Sequence, residues 1–124
     1  MQIDFVKHIV VLFVLFLAVD SVYLYFISSS FAKMIQHIQG SPLQIKLVGG
    51  IVCYLALAIL LYYFIVLPRR SPMEAALLGA GTYAVYESTS YALMTGWDWR
   101  IATIDTVWGG ALFYSVAYLS RFFI

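Results

Sequence analysis

Ile9-Val10-Val11-Leu12-Phe13-Val14-Leu15-Phe16-Leu17-Ala18-Val19-Asp20-Ser21-Val22-Tyr23-Leu24-Tyr25-Phe26-Ile27 is an apolar run broken by one carboxylate. It has about the 20 residues a helix needs to cross a bilayer. Three further runs of similar length follow, so that spans are expected at about 8–28, 45–67, 73–96 and 101–122. The chain is 64% hydrophobic and 10% charged, which leaves no polar faces for a soluble helical bundle along these runs. The expectation is a single integral membrane domain over residues 1–124, multi-pass, with the bilayer as its first partner.

Composition excludes other classes. Seven basic residues, scattered singly or in one pair, give no footprint for nucleic acid. Cys53 is the only cysteine, so there is no disulfide within the chain and no thiolate zinc site; it reads as a small buried hydrophobe in the second span. Ser30-Phe31-Ala32 resembles a signal-peptide cleavage site, but the apolar run before it is longer than a signal core and carries Asp20, so the first span reads as a retained helix.

Helix starts are marked by capping residues. Ser41-Pro42-Leu43-Gln44 and Ser71-Pro72-Met73-Glu74 each offer a serine N-cap, proline at the first helical position and a capping-box partner. Asp98 suits the start of the fourth helix, and Gly40 and Gly96 suit left-handed helix ends. Phe31, Met34, Ile35 and Ile38 make an apolar face opposite Lys33, Gln36, His37 and Gln39. That pattern fits a short interfacial helical segment after helix 1, or helix 1 continuing with one wet face. Trp97 and Trp99 read as an interfacial belt. Short connections imply antiparallel neighbours, hence an all-α, transmembrane, up-down-up-down four-helix bundle. Lys7, Arg69, Arg70 and Arg121 fall on one side and Lys33, Lys46 and Arg100 on the other, which places both termini in the cytoplasm by a small margin.

Asp20 is the one charged residue in the run Ile9 to Ile27, Glu87 in Ala75 to Trp97 and Asp105 in Ile101 to Ser120, so no lysine or arginine pairs with them there. A lone acid in hydrocarbon costs several kcal/mol or stays protonated, so it reads first as functional. At 1.5 Å per residue, Asp20 lies roughly 18 Å from the face holding the termini, Glu87 roughly 22 Å and Asp105 roughly 20 Å. Three acids at one depth point to one shared site. Tyr23, Tyr83, Ser90, Tyr91 and Trp108 sit three or four residues from an acid on the same helix, and Tyr54 reaches a similar depth on helix 2. Their hydroxyl and indole donors can solvate a carboxyl where no cation exists. Desolvation and mutual repulsion favour the neutral form, so at least one of the three is expected to be protonated at pH 7. Ala76, Ala80 and Ala84, like Ala102, Thr106 and Gly110, form small-residue stripes that suit helix packing and leave a homo-oligomer open.

Asp20 with Tyr23, then Tyr86-Glu87-Ser88-Thr89-Ser90, Trp97 and Asp105-Thr106-Val107-Trp108-Gly109, resemble the signatures of a four-span family, domain of unknown function family 2177, predicted membrane proteins. The resemblance covers essentially the whole chain and is strongest from Tyr86 to Gly109. Tyr23, Glu87 and Ser90 depart from the tryptophan, aspartate and asparagine usual in the family, each keeping a related hydrogen-bonding group. The resemblance implies the fold and these residues, without an activity or a cofactor.

The function expected first is binding of a lipid-like or other small amphipathic ligand by Asp20, Glu87, Asp105, Tyr23, Tyr54, Tyr83, Ser90, Tyr91 and Trp108. A small proton-coupled transporter is the alternative, followed by a lipid-modifying enzyme or a purely structural bundle. Catalysis is disfavoured, because the chain carries no nucleophile–base motif and no phosphate loop. No metal site is expected: carboxylates alone are weak ligands for a hard cation, and His8 and His37 read as interfacial residues.

Overall fold

The computed structural model describes residues 2–124, with side chains from Asp4 onward. It is all-α, with four helices and, among the described residues, no strand: α1 (Gln2–Gln39), α2 (Leu47–Leu61) continued by a π-helical turn (Tyr62–Val66), α3 (Pro72–Leu93) and α4 (Trp99–Ser120). Two of these are long and apolar enough to cross a membrane, α1 over Asp4–Gln39 and α2 with its π turn over Leu47–Val66. The polar residues of α3 and α4 keep them below that apolarity.

Each helix packs antiparallel to its neighbour. Phe5 and His8 of α1 meet Tyr62, while Asp20 reaches Tyr54. Phe16 meets Phe113, and Asp20 meets Trp108 of α4. The pairing of α3 with α4 is the most extensive in the molecule. Leu12, Phe16, Ala58, Leu61, Leu112, Phe113 and Val116 are wholly buried and form the core on the side of the chain termini. The carboxylates lie beyond the far end of that core.

Helix α1 corrects one expectation. No separate interfacial segment follows it: the helix runs unbroken through Ser28-Ser29-Ser30 to Gln39, about 57 Å at 1.5 Å per residue. The apolar face expected to lie on a membrane surface instead docks on the α3–α4 connection. Met34 is buried and its sulfur accepts from the Asp98 amide at 3.3 Å, and Phe31 packs edge-on against Trp97. Gly40 then turns the chain at φ +74°, as its position suggested.

The two Ser-Pro signatures part company. Ser71 caps α3 as expected: its hydroxyl accepts from the Glu74 amide at 3.2 Å, with Pro72 at the first helical position. Ser41 caps nothing, because α2 begins only after Lys46. The Gln39 side-chain amide donates to the carbonyls of Ser41 and Pro42, both at 3.0 Å. Those two carbonyls would otherwise serve the first turn of a helix starting at Pro42, and residues 41–46 stay non-helical and exposed. Ser71→Ala is expected to cost about 1 kcal/mol through the lost cap, whereas Ser41→Ala should cost nothing measurable. Unfolding of both variants in detergent checks this, and equal losses would contradict it.

At the other end of α2, the amides of Leu67 and Arg70 reach back to the carbonyls of Tyr62 and Ile65, both at 2.8 Å. Pro68 has no amide to offer the carbonyl four residues earlier, and the wider turn accommodates its loss. Cys53 is exposed on α2, which corrects its expected burial.

Candidate functional site

Asp20 is the best-satisfied acid. It is 7% exposed, and its two oxygens are taken by donors from two other helices. The Tyr54 hydroxyl of α2 donates to one, and the Trp108 indole of α4 donates to the other at 2.8 Å. A single carboxyl therefore ties α1, α2 and α4 together. Neither of its partners is a neighbour on its own helix.

Glu87 is 2% exposed and accepts from the Trp97 indole at 3.1 Å. Trp97 was expected to sit in an interfacial belt. The structure buries it between Phe31 and Tyr86, both edge-on to its ring, and turns its N–H inward. Its position ten residues after Glu87, across the α3–α4 connection, gave no helical-spacing signal. Trp99 is exposed, with the Arg100 guanidinium over its ring.

Asp105 lies beside Glu87 across the α3–α4 interface and is half-buried. Glu87 comes within hydrogen-bonding reach of its carboxyl. The Tyr23 hydroxyl approaches it, sealed from solvent and without a completed hydrogen bond among the described residues. Tyr23 is held in place by stacking on Trp108, with rings 4.8 Å apart and 8° from parallel. Trp108 thus joins the two centres, donating to Asp20 with its edge and supporting Tyr23 with its face.

A cavity of about 360 Å³ opens at Glu87, Asp105 and Tyr23. Its other walls are mostly apolar, with Leu24, Ile27 and Phe31 of α1, Leu43 and Ile45 of the α1–α2 connection and Ile101 of α4, beside the polar Ser28, Gln44 and Tyr86. Leu24 and Ile45 are exposed, as are Ser28, Gln44 and Tyr86, which complete the lining. No lysine, arginine or histidine lines it.

The remaining expected site residues are dispersed. Tyr83 packs over Gly109 at the α3–α4 contact. Ser90 is buried one turn beyond Glu87, and Tyr91 is 55% exposed on a shallow cleft shared with Glu87, Ala102 and Thr106. Of the nine residues expected at one site, the structure gathers Asp20, Tyr54, Trp108 and Tyr23 around one centre and places Glu87 and Asp105 with Tyr23 around the other.

No curated protein and no solved structure matches this chain. A family described as predicted membrane protein (DUF2177) matches residues 5–122, spanning both carboxyl centres and the tryptophans that serve them. The chain belongs to that predicted membrane protein family.

Proposed function

We propose that the chain is a multi-pass membrane protein, with all four helices crossing the bilayer and both termini cytoplasmic, that binds a small amphipathic molecule between α1, α3 and α4. The apolar outward faces of the two more polar helices support the four-span reading, with Leu77, Val85 and Leu93 of α3 and Ile104 and Val107 of α4 exposed. The observation that carries the binding function is the cavity at Glu87 and Asp105. Two acids stand in a pocket whose walls are mostly apolar and carry no cation. A ligand with an apolar body and one polar end satisfies both parts. Asp20, with both oxygens occupied, serves as the fixed support behind this pocket.

Solvent extraction of the purified protein followed by mass spectrometry tests the reading. Wild type is expected to carry an amphipathic molecule that is depleted at least tenfold in Glu87→Gln and in Asp105→Asn. Equal recovery from all three proteins, or nothing from wild type, would remove ligand binding at this pocket.

A further inference from the structure

We infer that the end of the bundle away from the carboxylates holds an anionic phospholipid by its phosphate, in a cavity lined by Arg69, Arg70 and Arg121. The inference goes beyond the amphiphile-binding reading and does not depend on it.

The cavity, of about 300 Å³, lies where the C-terminal ends of α2 and α4 come together. Arg69 and Arg70 reach it from the α2–α3 connection and Arg121 from the end of α4. Ile65, Val66, Ala117 and Ile124 supply apolar wall, and Ser120 completes the lining with its hydroxyl already donated to the Ala117 carbonyl at 2.7 Å. No acidic side chain lines the space. Glu74, outside it, approaches Arg70 at 3.8 Å with both side chains more than half exposed, and such a pair neutralises little. Even one α-carboxylate at Ile124 would leave the cations in excess.

The backbone gives a second observation. Arg69 is the one non-glycine residue with a left-handed φ, +59°, among the described residues. Its amide donates to the Val66 carbonyl at 3.1 Å and the Arg70 amide to the Ile65 carbonyl at 2.8 Å, the paired bonds of a helix end that usually employs glycine. Glycine would make the same turn without the strain of a Cβ. Cations near helix C-termini complement the macrodipole, but any position in the last turn serves that purpose. An arginine seated against backbone preference, on a cavity shared with two more, points to a ligand.

Depth and chemistry select the occupant. The apolar stretch of α2 ends at Val66, three residues before Arg69. Tyr63 and Tyr118 are exposed within two turns of the arginines, and Phe122 and Phe123 are exposed just after Arg121. Aromatic and basic side chains together mark the level of lipid headgroups. Each guanidinium offers five donors in a planar fork that fits two phosphate oxygens, so three of them exceed what a single carboxylate can accept. Basic pockets between membrane helices suit anionic headgroups, whereas a choline head would bring its own cation toward the arginines. The apolar walls take the first carbons of the lipid.

The test titrates dioctanoylphosphatidylglycerol, dioctanoylphosphatidylcholine, dodecanoate and inorganic phosphate into the protein in neutral maltoside micelles, with saturable binding followed by isothermal calorimetry. Phosphatidylglycerol is expected to bind at least tenfold more tightly than each of the others. Its affinity should fall at least fivefold in Arg69→Gly and in Arg121→Gln. It should be unchanged in Arg100→Gln, which removes the same charge at the opposite end of α4. Without lipid, the unfolding midpoint of Arg69→Gly should stay level or rise, because glycine relieves the left-handed turn, so weaker binding there does not come from a damaged fold. A lowered midpoint would overturn the strain argument. Phosphatidylcholine matching phosphatidylglycerol would overturn selection by net charge, and dodecanoate matching it would overturn the phosphate. Inorganic phosphate matching it would overturn the lipid source and leave a free-phosphate site. Full affinity in Arg69→Gly, or equal losses in Arg69→Gly and Arg100→Gln, would remove the site and leave general attraction to a basic surface. The molecule extracted from wild type should be retained in Arg69→Gly, so this site and the Glu87 cavity stand or fall separately.

Discussion

Gly79→Ala and Gly109→Ala are each expected to loosen or break the α3–α4 pair, at a cost of about 1–3 kcal/mol or more. A Cβ at Gly79 would strike the Gly109 carbonyl oxygen and lie 2.6 Å from the Phe113 Cβ. A Cβ at Gly109 would lie 2.5 Å from Cδ1 and 2.7 Å from Cβ of Tyr83. Relief is not available by rotating a flexible tip. One obstacle is backbone, and Phe113 is wholly buried and pinned edge-on by Phe16 at 5.1 Å. The closest approach of the two helices therefore depends on these two glycines, and Glu87 and Asp105 face each other only while the helices stay in register. Gly81→Ala is the control on the same helix, because its Cβ would meet open space and the change should be neutral or slightly stabilising. Unfolding in detergent separates the cases. Gly79→Ala as stable as Gly81→Ala would show that the interface can shift without penalty.

These glycines also mark a limit of sequence reading. The stripes at every fourth residue, Ala76-Ala80-Ala84 and Ala102-Thr106-Gly110, do mark the contact in part: a Cβ at Gly110 would lie 3.2 Å from the Ala76 carbonyl oxygen and 3.4 Å from the Ala80 Cβ. Yet the tightest contacts fall at Gly79 and Gly109, one position off each stripe. Periodicity gives the face of a helix, whereas the point of closest approach depends on the crossing with its partner.

The carboxylates were legible because a lone acid in an apolar run stands out by contrast. Their partners were not, because spacing arguments pair residues on the same helix. Trp108 follows Asp105 by three residues but donates to Asp20, and Tyr23 follows Asp20 by three but approaches Asp105. The aromatics are exchanged between the centres because a side chain at the helix contact points across it. Ser41 and Ser71 show the same limit at helix starts. Their local signatures are alike, and what separates them is Gln39, which lies upstream of the motif and ties up the carbonyls a helix would need.

Removing the Asp20 carboxyl is expected to produce the second large loss, about 2–4 kcal/mol in Asp20→Ala, as the sum of two stranded donors. The Tyr54 hydroxyl and the Trp108 indole have no other partner among the described residues, and both lie where three helices meet. A single hydrogen bond inside a membrane protein averages only about 0.6 kcal/mol, so the expected loss comes from the penalty of unmet donors more than from the bonds themselves. In the Tyr54→Phe/Trp108→Phe background both donors are gone, and the further change Asp20→Ala should cost less than about 1 kcal/mol. Asp20→Asn should fall between, since one amide oxygen can still accept while the NH2 group faces the second donor. Because Asp20 does not line the cavity, Asp20 variants that fold should keep the copurifying amphipathic molecule. A full loss for Asp20→Ala in the double-phenylalanine background would show that the carboxyl acts through something other than these two donors. Loss of that molecule from a well-folded Asp20→Asn protein would join the two centres into one site.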